Sequence, residues 1–299
     1  MNECLPAQPV IEALAATIRQ ALGDDLVALY LYGSAATGGF DPDVSDIDLM
    51  AVTTSSLAEI DLTAIERAQR GFVGDHPEWS DRIEVVYLSR ETIGSFRDGG
   101  ALAVVSPGEP FHLTTGAELW IENWYLVRET GLTLFGPPVK DLVPSVGLDE
   151  FLLAIVSYAD EVRHRDLAEA SPASRAYGVL TMCRALRTVV TRVPCSKQDA
   201  STWARERFPT WAWLIDAALE CRLSLGRVGL DDEPTRRAAE AFVDLLGDEI
   251  VQASAPLREA QLALAAGGGA GVVPNLVTSA GPGEAETHEL AGLYEPDPG

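Results

Sequence analysis

Positive charge is what this sequence has least of: 22 Lys+Arg stand against 45 Asp+Glu in 299 residues, a formal net charge of −23 at pH 7. A surface so negative repels nucleic-acid phosphates, which excludes a sequence-independent DNA or RNA binder and favours cationic partners. Cysteine is also scarce. Cys4, Cys183, Cys195 and Cys221 form no CxxC pair and are too dispersed for a disulfide scaffold, so they are expected to be idle or buried thiols in a reducing compartment. His76, His112, His164 and His288 do not cluster and have no metal-ligand spacing. Long hydrophobic runs are missing too. The longest gently apolar stretch, residues 262–273, is short, broken by glycines and stopped by Pro274, which predicts no membrane span. The first residues carry Glu3 and Pro6 and lack a basic-then-apolar secretion pattern, so the expected location is cytoplasmic.

The chain is long enough for two domains with full cores, and 47% hydrophobic residues can supply them. Pro9 fits a first helical turn, and Ile11, Leu14, Ile18 and Leu22 recur at helical spacing. Residues 26–32 (LVALYLY), 46–52 (DIDLMAV) and 82–88 (RIEVVYL) predict strands, with a turn-prone loop over 33–40 (GSAATGGF) and a helix near 62–72. This order predicts an α+β unit with a small mixed sheet. Residues 118–138 predict a helix closed by Gly131, a short extended stretch and a Gly-Pro-Pro stop. From there the periodicity is helical: Leu152, Ile155, Val156, Ala159 and Val162 share a face, as do Val179, Cys183, Leu186 and Val190. Further helices are expected from Ser196 to Pro209 and over 234–250, giving a bundle. The expected division is a catalytic domain over 1–140, a helical domain over 141–262 and a disordered acidic Gly/Pro-rich tail over 263–299.

The segment that carries chemistry is 31–52, LYGSAATGGFDPDVSDIDLMAV. Asp46 and Asp48 are two apart on a predicted strand and project from one face. Adjacent like charges there cost free energy unless something positive lies between them, and a hard oxygen-liganded cation such as Mg²⁺ answers that need. Glu84, between apolar Ile83 and Val85, completes a three-carboxylate cluster if the two strands are neighbours. Gly33-Ser34 offers backbone N–H groups and a hydroxyl without bulk, as a phosphate requires. An EF-hand reading of Asp41-x-Asp43 fails because Asp46 stands at the glycine position and Val52 at the final glutamate. A Walker A reading of Gly33-x4-Gly38 fails because Gly39-Phe40 replaces Lys-Ser/Thr.

Strand, Gly-Ser, glycine-containing loop, Ser-Asp-x-Asp opening a second strand and an acid on a third: this compound pattern resembles the nucleotidyltransferase superfamily with the polymerase-β-like fold. Residues 179–186 (VLTMCRAL) and 196–209 (SKQDASTWARERFP) are similar to the C-terminal domain of the streptomycin/spectinomycin adenylyltransferases. The resemblance implies a small catalytic sheet domain packed on a helical bundle, with the site between them. It places metal ligands on Asp46 and Asp48 and the general base on Glu84. It places phosphate contacts on Gly33, Ser34 and Ser45, and further nucleotide contacts on Arg184 and Lys197. The implied reaction moves AMP from ATP to a hydroxyl of a small cationic antibiotic, with one or two Mg²⁺ ions. The acceptor half departs from the family. Its antibiotic-contacting acid becomes Ser174, its streptomycin-associated Trp and Asp become Arg165 and Ala170, and a nucleotide-side aromatic becomes Leu223. Trp124, in WIENWYLVRE, is a candidate for another acceptor wall. A protein or another small molecule as acceptor, or nucleotide binding without turnover, are the other readings.

Overall fold

The computed structural model describes residues 7–107, 109 and 111–267. Three hydrophobic strands form its centre: β1 (Leu26–Tyr32), β2 (Ile47–Thr53) and β3 (Ile83–Ser89). They are flanked by β4 (Ala101–Val105), β5 (His112–Thr115) and β6 (Leu132–Phe135), in the order β5-β4-β3-β2-β1-β6. Only β2 and β3 run parallel; the other neighbours are antiparallel.

The central strands read as nearly continuous apolar runs because both faces are covered. On one face Leu29, Leu31, Leu49, Ala51, Val85 and Tyr87 meet helices α1 (Gln8–Leu22) and α3 (Leu62–Asp75), and Ile11, Leu14 and Ile65 fill the layer. On the other face Tyr30, Met50, Val52, Val86 and Leu88 pack with Trp124 and Val127 of α5 (Ile121–Thr130) and with Phe151 and Leu152 of α7 (Leu148–Arg163). Strand alternation puts Tyr32, Asp48 and Glu84 on this second face, the one turned to the helical part. Short helices α2 (Gly33–Thr37), α4 (Arg90–Gly94) and α6 (Val139–Leu142) complete the unit. The expected loop over 33–40 is therefore helical in its first half, because Gly33 enters at φ +66 and starts a turn directly from β1.

The bundle has α8 (Pro172–Thr191) at its centre, with α7, α9 (Lys197–Arg207), α10 (Ala212–Leu223) and α11 (Glu233–Gly267) around it. Val179, Cys183 and Leu186 are fully covered as expected, whereas Val190 is 43% exposed near the end of α8. Arg175 is completely buried in α8. Its guanidinium donates to the carbonyls of Leu167 at 2.8 Å, Ala168 at 3.0 Å, Ala170 at 2.6 Å and also Leu230, tying two connections to the central helix. The division near residue 140 is not a break in packing, since Phe151 and Leu152 belong to the sheet's second layer. Helix α11 continues through Pro256 to Gly267, past the expected start of the tail. Residues 268–299, with most of that expected tail, lie outside the described residues. Among the described residues no helix is long and apolar enough to cross a membrane.

Candidate active site

The site is built at one end of the central strands. Tyr32 ends β1, Asp48 is the second residue of β2, and Glu84 is the second residue of β3. Register pairs Tyr32 with Asp48 and Asp48 with Glu84, so the three residues stand in a row across the sheet. Asp46 lies one residue before β2, outside the strand in which it was expected. Gly33 follows Tyr32, and a Cβ there would overlap Asp48 Oδ2 and lie 2.8 Å from its Cγ. The strand end and the carboxylate can approach only because position 33 has no side chain.

Burial and like charge define the electrostatics. Asp48 is raised well above the ordinary carboxylate range, chiefly by burial and then by Glu84 and Asp46, with Lys197 and Arg184 opposing. Asp46 is raised by burial and eased by Lys197, Arg222 and Arg82. Glu84 is raised by burial, while a 2.8 Å hydrogen bond donated by the Tyr32 hydroxyl to its Oε1 pulls it back; Asp46 and Glu109 add to the rise. The Tyr32 hydroxyl also accepts from Asn123 Nδ2 at 3.4 Å.

Across from the carboxylates stand cations from three helices. Lys197 opens α9, with its ammonium 4.5 Å from the centre of the Tyr177 ring. Burial, Arg184 and Arg222 bring Lys197 down to about 7 against the pull of Asp46 and Asp48. Arg222, on α10, is likewise lowered, mainly by burial, while Asp46 and Asp41 favour its charge. Neither Arg184, Lys197 nor Arg222 forms an ion pair with a carboxylate among the described residues, though the chain has twice as many acids as bases. Lys197 is one of two lysines in the whole sequence, the other being Lys140. Cations left unpaired in so acidic a protein suit a polyanionic ligand.

The residues expected in the phosphate loop take different places. Gly33 and Ser34 begin α2 beside Asp48. Ser45 is buried, its Oγ accepts the Asp41 amide at 2.9 Å, and its carbonyl accepts from Arg82 at 2.7 Å. Arg82 also holds the Pro42 carbonyl at 2.7 Å and lies over the Trp79 ring, so it clamps the loop leading into Asp46. Ser45 therefore shapes that loop. Its far end approaches the helical part: a Cβ on Gly39 would come within 3.0 Å of Ser196 Cβ at the start of α9.

Metal fit rests on Asp46 and Asp48. They offer an all-oxygen donor pair, neither side chain is hydrogen-bonded or ion-paired among the described residues, and burial makes their joint ionisation costly, which a hard divalent cation would relieve. Glu84, the third carboxylate expected, lies near both aspartates and accepts from Tyr32 through Oε1. Among the described residues no three His, Cys, Asp or Glu groups converge as a metal site.

On the acceptor side Trp124 is core. It is fully buried, donates its indole N–H to the Ala117 carbonyl at 2.7 Å and stacks on Trp120. Ser174 is used at the start of α8, 2.9 Å from Ser171 Oγ. Sequence reasoning missed Glu122, also on α5, which lies near Arg184 and near Glu161 of α7; burial raises it to about 7, with Arg184 opposing and Glu161 adding. It has no hydrogen bond or ion pair among the described residues. Tyr158 and Tyr177 lie nearby, their hydroxyls 2.6 Å apart. Arg222 and Tyr32 were missed as well. The first lies in an unpredicted helix; the second is visible in the sequence as the residue before Gly-Ser.

Two family models match in succession: "Nucleotidyltransferase domain" over residues 13–88 and "Aminoglycoside adenylyltransferase, C-terminal domain" over residues 141–249. A spectinomycin 9-adenylyltransferase of Campylobacter jejuni is 27% identical over 258 residues, covering 80% of this chain and 92% of that protein. One from Staphylococcus aureus (strain Mu50) is 25% identical over 213 residues, covering 64% and 75%. Among solved structures, the crystal structure of a spectinomycin adenyltransferase from Enterococcus faecialis with ATP and spectinomycin superposes with a TM-score of 0.63 at 18% identity. It covers 81% of this chain and 98% of that one, and shares its fold.

Proposed function

We propose, on the premise that this chain is an aminoglycoside-adenylyltransferase-like nucleotidyltransferase, that it transfers AMP from ATP to a hydroxyl of a cationic antibiotic of the spectinomycin or streptomycin class. The observation that carries this reading is the row Tyr32, Asp48 and Glu84 at the strand ends, faced by Arg184, Lys197 and Arg222. Acids that hold and activate, opposite cations that receive a polyphosphate, make a site for phosphoryl chemistry.

The acceptor hydroxyl oxygen attacks the α-phosphorus of ATP in line, and the bond to the pyrophosphate oxygen breaks. Glu84 takes the hydroxyl proton; its raised pKa makes it a better base than an exposed carboxylate. Arg184, Lys197 and Arg222 hold the triphosphate and stabilise the charge on the departing pyrophosphate. Gly33 and Ser34, at the start of α2 beside Asp48, would meet the phosphates with backbone N–H groups and a hydroxyl. Asp46 and Asp48 would hold a divalent cation, Mg²⁺ being the expected one, which supplies charge neutralisation at the phosphate when bound.

The acceptor is assigned as cationic because Glu122 and Glu161 lie together near Arg184 and Glu122 has no hydrogen bond or ion pair among the described residues. They supply, from α5 and α7, the negative charge that Ser174 does not.

The test is mass spectrometry of reactions containing ATP, Mg²⁺ and spectinomycin, streptomycin or other aminoglycosides. The expected product is the antibiotic plus one AMP, with Glu84→Gln at least a hundredfold slower while still binding Mg·ATP. Turnover that survives this change overturns the base. AMP that appears only on a protein of the lysate overturns the antibiotic acceptor.

A further inference from the structure

The surroundings of Glu84 carry the reading one step further. Tyr32 is buried, 3% exposed, and its hydroxyl is held within the protein. It has two neighbours, Asn123 Nδ2 at 3.4 Å and Glu84 Oε1 at 2.8 Å. An amide nitrogen only donates, and a phenol has a single proton. With Asn123 donating to the phenol oxygen, that proton is committed to Glu84. The arrangement joins the ends of β1 and β3 to α5, whose position is fixed by the buried Trp124.

We infer that Tyr32, backed by Asn123, is a positioning residue for Glu84: it occupies Oε1 and leaves Oε2 as the oxygen that receives the proton of the acceptor hydroxyl. The inference rests on the adenylyl-transfer reading. It divides the work of one carboxylate between its two oxygens. One fixes the side chain by a hydrogen bond to a charged group, among the stronger kinds. The other keeps its lone pairs for the reaction. Burial and the neighbouring Glu84 and Asp48 raise the phenol well above its ordinary value, so it remains a donor throughout the working range.

The experiment uses the full chain with Tyr32→Phe, Asn123→Ala and the double variant. Steady-state kinetics with ATP and the adenylated antibiotic, and thermal unfolding of each variant, are followed by crystal structures of wild type and Tyr32→Phe. Tyr32→Phe should lower kcat about tenfold or more, leave KM for ATP within about twofold and keep a cooperative unfolding transition. Asn123→Ala should lower kcat less, and should add nothing in the Tyr32→Phe background, as for two residues acting through one path. Glu84 should hold one side-chain position in wild type and lose it in Tyr32→Phe. An unchanged kcat, or losses that simply multiply, overturns the inference. So does a Glu84 that stays in place without the phenol. If wild type adenylates no acceptor, the functional reading fails instead, and the comparison of the two crystal structures still decides whether Tyr32 positions Glu84.

Discussion

An alanine at position 33 would bring its Cβ into Asp48 Oδ2 and force a side chain into φ +66. The left-handed conformation alone costs roughly 1–2 kcal/mol. The overlap costs more and falls on a residue of the site, because Asp48 can yield only by leaving the row it shares with Tyr32 and Glu84. Gly33→Ala is therefore expected to lose at least a hundredfold in AMP transfer while unfolding only a few degrees lower. Initial rates and a thermal melt on the same preparation check this. An alanine variant with wild-type turnover would show that Asp48 tolerates displacement and does not hold the reactants. Gly38, by contrast, has positive φ with open space around it, and alanine there meets only the conformational cost.

At the scale of elements, three helices gather positive charge at one point: α8 brings Arg184, α9 begins with Lys197, and α10 brings Arg222 near its end. Their crowding and burial hold Lys197 down at about 7. On the proposed function a polyphosphate reverses that balance and restores the ammonium, so binding ATP should take up a proton. At pH 7.5 a group of pKa 7 is about one-quarter protonated, and uptake should approach three-quarters of a proton; at pH 6 it should nearly vanish. Calorimetry of nucleotide binding in buffers of different ionisation heat measures it, and Lys197→Met should remove it. Uptake that does not change with pH, or that persists in the variant, assigns the proton elsewhere.

Which elements could be foreseen follows from how they are covered. The strands β1 to β3 were legible because both faces are buried and their apolar runs are unbroken, and Asp48 and Glu84 stood out as acids inside such runs. The edge strand β5, four residues long and partly exposed, has no pattern of its own, whereas β6 lies in the short extended stretch expected after Gly131. Helix α10 was hidden because Trp213 and Leu223 are exposed while Leu214, Ile215 and Ala218 are buried, which blurs its apolar face; Arg222 was hidden with it. The bond from Tyr32 to Glu84 spans 52 positions and exists only through the register of three strands. No local spacing encodes it.

For the whole molecule the net charge of −23 becomes a statement about the two substrates. On the proposed function it opposes the approach of ATP and favours a cationic acceptor, and the charges near the carboxylates resolve the conflict locally. Arg184, Lys197 and Arg222 stand near the aspartates, and Glu122 and Glu161 lie together near Arg184. Such contacts act at short range, whereas the field of the whole surface reaches as far as salt allows. The screening length falls from about 30 Å at 0.01 M to about 10 Å at 0.1 M ionic strength. Over that interval kcat/KM for the cationic acceptor should fall by about tenfold, the lower end of steering effects. For ATP it should stay level or rise, since screening removes repulsion. The opposite slopes are the diagnostic, because loss of fold or of cleft contacts would lower both together. Glu122→Gln should reduce the acceptor's KM advantage at every ionic strength while leaving its slope in place, since one charge in 23 hardly changes the distant field. An acceptor kcat/KM that is flat in salt would mean that the acidic surface plays no part in recruiting it, and the preference for a cation would then rest on Glu122 and Glu161 alone.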